Sequence, residues 1–176
     1  MRKNILKAGT LFLAVLIASD VFAATDGTVG ATSTGTATIS VTLPKLVRVR
    51  GLRDFAFGSY TGTGDLTDNE NINVSSNYTA GTYRVRARGS GAAFAFTLTD
   101  GTSLIPYTVA YNDATGTSGE VALTADTNLT TQGGIVKPLS TTTDNANYHV
   151  NILEANLQAV DAGSYSGTLS LIITPE

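Results

Sequence analysis

Short stretches in which apolar and polar side chains strictly alternate, each closed by a turn residue, restrict this chain to strands. The clearest is ATISVTL, where Ala37, Ile39, Val41 and Leu43 are apolar and Thr38, Ser40 and Thr42 carry hydroxyls. A period of two gives a strand one apolar face. Pro44 has no N–H to offer a ladder and ends the stretch.

The same alternation returns along the chain. KLVRVRG sets Val47 and Val49 against Arg48 and Arg50, and DFAFGSY places Phe55 and Phe57 on one face. A polar loop, TGTGDLTDNE, precedes NINVS with Ile72 and Val74. GTYRVRAR alternates Tyr83, Val85 and Ala87 with Arg84, Arg86 and Arg88, and AAFAFTLTDG aligns Phe94, Phe96 and Leu98 before an Asp-Gly turn. SLIPYTVAYND reads as a strand bent at Pro106, and EVALTADTNLTTQGGIVKPLS as short strands around Gly133 and Gly134. NYHVNILEANL puts Tyr148, Val150 and Ile152 on one side. In the last stretch, GSYSGTLSLIITPE, Tyr165, Leu169, Leu171 and Ile173 share a register with Gly167. No segment carries a helical apolar period, so the expected fold is all-β, a sandwich.

The first residues predict export. Arg2, Lys3 and Lys7 precede the apolar run LFLAVLIA, and VFA at Val21 to Ala23 supplies small residues for cleavage after Ala23. A membrane anchor needs roughly 20 apolar residues, and Ser19 and Asp20 interrupt this run. Cleavage removes three of the 11 basic and one of the 14 acidic residues, leaving 153 residues with a formal charge of −5. That balance does not suggest nucleic acid as a partner. With no cysteine, stability rests on burial and strand pairing. The expected division is residues 1–23 as signal peptide, 24–44 as an N-terminal extension and 45–176 as one domain. Residues 24–36, ATDGTVGATSTGT, are too poor in large apolar groups to offset the entropy of ordering.

Candidate chemistry is sparse. His149 is the single histidine and falls on the polar face of its strand. Without a cysteine or a second histidine, nucleophilic triads and histidine-rich metal sites have little to build on. Asp65, Asp68 and Glu70 in GDLTDNENIN offer oxygen ligands, but the loop lacks the alternation and glycine of a calcium loop and reads as solvated. Arg84, Arg86 and Arg88 would project from one strand face, either as a basic stripe for anionic glycans or as a solvated face that discourages edge pairing. The chain is expected to be no enzyme and to need no cofactor or metal.

Four stretches, ATISVTLP, LRDFAFGSY, SLIPYTVAYND and AGSYSGTLSLIITPE, give the chain a family likeness. It resembles pilin subunits of the chaperone-usher pathway, in particular the spore-coat-U-like domain of the archaic class and, more loosely, the cysteine-free colonisation-factor pilins. Many archaic members have cysteines, and this chain has none. The resemblance implies an incomplete immunoglobulin-like sandwich, with a groove beside its C-terminal strand that the N-terminal strand of a neighbouring subunit fills. Ala37, Ile39, Val41 and Leu43 would then be the donor residues, and Tyr165, Leu169, Leu171 and Ile173 would line the acceptor groove. It further implies a periplasmic chaperone, an outer-membrane usher and copies of the same subunit as partners, a place in a surface pilus, and adhesion to a host glycan or surface or biofilm formation as the outcome. The alternative is a self-contained secreted sandwich that binds carbohydrate or coats a cell or spore surface.

Overall fold

The structure, a computed structural model, describes residues 24–136 and 138–176. Ala23 and the expected signal peptide lie outside the described residues. The chain divides into two units, the first ending at Leu43 and the second running from Pro44 to Glu176.

In the first unit, Thr25 and Thr36 pair through two backbone hydrogen bonds of 2.8 and 2.9 Å, so residues 25–36 fold back on themselves. Residues 37–43, expected as a strand, have no ladder partner among the described residues. Their alternation is intact, but alternation creates an apolar face, and a strand also needs a neighbouring backbone.

Among its described residues the second unit forms eleven strands. They are β1 (Val47–Arg50), β2 (Leu66–Ser76), β3 (Tyr83–Arg88), β4 (Thr97–Thr99), β5 (Leu104–Pro106), β6 (Thr108–Asn112), β7 (Val121–Ala122), β8 (Asn128–Gln132), β9 (Ile135–Val136), β10 (Ala146–Ile152) and β11 (Ser170–Pro175). One helical turn, α1 (Glu154–Leu157), follows β10. The larger sheet runs β1-β2-β10-β6-β7, with β9 parallel to β2; the smaller runs β11-β3-β8, and β4 pairs with β5. This is an incomplete immunoglobulin-like sandwich, with no helix among the described residues long and apolar enough to cross a membrane.

The core lies between the two sheets. Ile72 and Val74 of β2, Tyr148 and Val150 of β10, and Val109 and Tyr111 of β6 face Tyr83, Val85 and Ala87 of β3. These are the apolar positions of each alternating stretch, because one side of each sheet is withdrawn from water.

Local departures have identifiable causes. AAFAFTLT does not run as one strand: Ala93 and Phe94 adopt φ values of +52° and +64°, which turns Phe94 outward to 42% exposure under the Arg88 guanidinium. LRDFAFGSY forms no strand either, although the rings of Phe55 and Phe57 still stack on one side, 6.3 Å apart. Of the stretch expected as a polar loop, residues 61–65 are irregular, but residues 66–70 open β2, which pairs with β10 from Leu66 opposite Ile152 to Ile72 opposite Ala146.

Candidate functional site

Gly51 makes the first element of the site. Its φ of +84° suits glycine, and there the chain leaves the edge of β2, where β1 has paired through Arg50 and Asn73. The segment that follows is pinned to the inner face of the larger sheet at Arg53. The Arg53 N–H donates to the Tyr148 hydroxyl at 3.2 Å, and that hydroxyl donates to the Arg53 carbonyl at 2.9 Å. Phe55 packs on the Tyr148 ring at 5.0 Å. From residue 54 to residue 61 the backbone has no backbone hydrogen-bond partner among the described residues.

The opposite wall is the stretch leading into β11. Ser166 exchanges hydrogen bonds of 2.9 and 3.0 Å with Thr99. Backbone groups alternate in direction along an extended chain, so the N–H and C=O of Tyr165 and Gly167 point the other way. β11 itself is an edge strand, bonded to β3 on one side only.

Between these walls lies an open cleft of about 1070 Å³. Its floor is apolar, built from Leu66, Tyr148, Val150 and Ile152 of the larger sheet with Ile105 and Tyr107 below. Tyr165, Leu169 and Leu171 line it. Ile173 lies further along β11, opposite Val85, half-buried against the core and outside the lining. Burial on this floor pushes the hydroxyls of Tyr107 and Tyr148 above their ordinary value. Ile105, Tyr107, Tyr148, Val150 and Ile152 are buried, whereas Leu66 and the wall residues Tyr165, Leu169 and Leu171 are half-buried. An apolar trough flanked by two unpaired backbone edges has the chemistry to accept an extended peptide whose alternate side chains are apolar.

In the first unit, Ile39, Val41 and Leu43 are 96%, 81% and 73% exposed, and Ala37 is exposed as well. Three large apolar side chains in water within five residues form a surface in want of cover.

The remaining polar candidates are engaged in structural contacts. His149 sits on the outer face of β10, with Nε2 2.6 Å from the Thr67 hydroxyl and Nδ1 3.0 Å from both Glu120 carboxylate oxygens. A carboxylate only accepts, so Nδ1 donates to Glu120. The arginine stripe is largely neutralised: Arg88 and Arg86 meet Asp126 at 2.6 and 3.5 Å, and Arg84 meets Glu176 at 2.7 Å. The Arg88 hydrogen bond holds Asp126 below the usual carboxylate range, and that from Arg84 does the same for Glu176.

Asp68 and Glu70 share the inner face of β2 with Ile72 rather than standing in an open loop, and Arg53 bonds to both. Among the described residues no group of acidic, histidine or cysteine side chains is arranged to hold a metal. Arg53 escaped the sequence reading because its partners lie 15 and 17 residues away. The signal was there in LTDNENINV, whose period of two continues unbroken through Asp68 and Glu70.

No family model and no curated protein matches the sequence. Among solved structures, the chain is similar to one from the chaperone-tip adhesin complex described as vital for synergistic activation of CFA/I fimbriae biogenesis, with a TM-score of 0.52 and 13% identity over 74% of this chain and 41% of that one. It also matches the CupB6 tip adhesin from Pseudomonas aeruginosa, with a TM-score of 0.38 and 17% identity over 78% of this chain and 43% of that one. The chain therefore spans less than half the length of either. The first likeness defines the class of fold, a β-sandwich of the kind present in a fimbrial chaperone-adhesin complex, and agrees with the resemblance read from the sequence.

Proposed function

We propose that the chain is a non-enzymatic pilus subunit that polymerises by donating residues 37–43 to the cleft of the next copy. The observation that carries this reading is the pair of unpaired backbone edges, residues 54–61 on one side and the approach to β11 on the other, flanking an apolar floor. A strand inserted there would complete the smaller sheet. Ala37, Ile39, Val41 and Leu43 would face the floor, while Thr38, Ser40 and Thr42 would face out. Tyr165, Leu169 and Leu171 would receive the donor, and Ile173 would support β11 from behind.

Burying Ile39, Val41 and Leu43 is worth roughly 1.5–3 kcal/mol each, and each new ladder hydrogen bond about 1 kcal/mol net. The sum, about 10 kcal/mol, is comparable with the whole stability of a small domain. The donor stretch and the cleft belong to different segments of each copy, so the contact would be head-to-tail, would not close, and would give a fibre. An unfilled cleft exposes apolar surface and strand edges, which accounts for a periplasmic chaperone before assembly and an outer-membrane usher during it. The fibre would stand on the cell surface and serve adhesion or biofilm formation.

The test is exchange itself. Purified subunit is expected to form a ladder of multimers that survives detergent without boiling, because strand withdrawal is slow. Ile39→Asp should abolish the ladder, and a peptide spanning Thr34 to Pro44 should bind the Ile39→Asp chain with one peptide per subunit. Normal multimers from Ile39→Asp would sink the reading.

A further inference from the structure

We propose that Arg53 is the post that keeps the cleft open before a strand enters it, an inference that rests on the cleft being the acceptor. Apolar walls facing each other across water attract, and residues 54–61 have no backbone hydrogen bond among the described residues to hold them apart from the floor. An unoccupied cleft built only from these walls would close on itself. Its opposing device sits at the start of the wall.

Asp68 and Glu70 project from the inner face of β2, on the side of Ile72 and Val74, where a sandwich ordinarily places apolar groups. Arg53 reaches them from the wall. Its Nη2 donates to both Asp68 oxygens at 2.9 and 3.0 Å and to the Asn69 carbonyl at 3.1 Å, and its Nε donates to Glu70. Its backbone is held by the Tyr148 hydroxyl on both N–H and C=O. The guanidinium also lies 5.3 Å from the Phe55 ring, which fixes the first aromatic of the wall.

The wall therefore cannot slide further across the inner face of β2, beside the cleft, without stripping the remaining water from two carboxylates and a guanidinium that are still 35%, 28% and 44% exposed, which is strongly unfavourable. Charge on an inward face acts here as a spacer. Arg53 is a positioning residue; it does not have to touch the donor.

The experiment uses the full chain carrying Ile39→Asp, so that copies do not complement one another, and a fluorescent peptide spanning Thr34 to Pro44. Stopped-flow mixing reads association, and chase with unlabelled peptide reads dissociation. Arg53→Met is expected to slow association at least tenfold with dissociation changed less than twofold, and Arg53→Lys to recover part of the rate. Raising sodium chloride should slow association in the parent and leave Arg53→Met unaffected. If Arg53→Met does not fold, the Asp68→Asn, Glu70→Gln pair, which keeps the bonds to Tyr148, is expected to show the same slowing. Association within twofold of the parent in the folded variants, or a parent rate indifferent to salt, would overturn the proposal. A parent that takes up no peptide would dismiss the acceptor reading, and this proposal with it.

Discussion

Tyr83 and Tyr111 meet hydroxyl to hydroxyl at 2.7 Å across the two sheets, their rings edge-to-face at 90° with centroids 6.5 Å apart. Both are fully buried. Removing one hydroxyl leaves the other in the core without its partner, which costs about 1–3 kcal/mol. Tyr111→Phe is expected to lower stability by that amount in urea unfolding of the Ile39→Asp chain, and the double Phe variant by less than the sum of the singles.

Burial pushes the Tyr83 hydroxyl up to about 12 from an ordinary 10.0, and pushes Tyr111 up as well. A raised folded-state value means that the native protein holds its proton where the unfolded chain has lost it. Stability is therefore complete below pH 10 and falls as pH rises from 10 through about 12. The slope for one such tyrosine is about 1.4 kcal/mol per pH unit within that window. Absorbance at 295 nm should show these two rings ionising together with unfolding. Their ionisation in a still-folded chain would contradict this account.

Asp126 and Glu176 work in the opposite direction. Their carboxyls are depressed first by hydrogen bonds from Arg88 and Arg84. Their contribution is present above the ordinary carboxylate values and is lost as pH falls through the depressed folded values. The urea midpoint should drop on acidification, and by less in Asp126→Asn than in the parent.

The cleft predicts a separation of folding from binding. Leu169 lines it and is only half-buried. Leu169→Asp should leave the far-UV spectrum intact and abolish uptake of the Thr34 to Pro44 peptide. An affinity within threefold of the parent would place the donor elsewhere.

Ile72, fully buried on β2, tests the core independently of the cleft. Ile72→Ala is expected to cost about 2–5 kcal/mol from lost contact and the cavity left behind. Ile39→Ala, at an exposed position, should change the stability of the isolated chain by less than about 0.5 kcal/mol, whereas the same substitution made in the Thr34 to Pro44 peptide should weaken its capture by roughly tenfold or more.

Much of the fold was legible in advance because alternation is local. Val74, Tyr83, Val85, Ala87, Tyr148, Val150 and Ile152 lie in the core as their period of two requires. Tyr165, Leu169 and Leu171, at odd positions of one extended stretch, line one wall of the cleft. Phe94 departs because a left-handed turn at Ala93 interrupts the alternation, and no apolar pattern encodes that turn. The start of β2 looked like a loop because its core-facing positions carry Asp68 and Glu70 in place of apolar groups.

By itself the sequence determined the strands, their inward faces and the apolar stripe of residues 37–43, since each depends only on the order of side chains along a few residues. Which backbones lie side by side was decided by the tertiary structure. Ladder hydrogen bonds use N–H and C=O groups common to nearly all residue types, so pairing partners far apart leave little mark on local composition. Glu120 beside His149, Arg53 between Asp68 and Glu70, and the unpaired edge of β11 all belong to that second level. The cleft arises where the smaller sheet ends at β11, and where a sheet ends is not written in the order of side chains along any one strand.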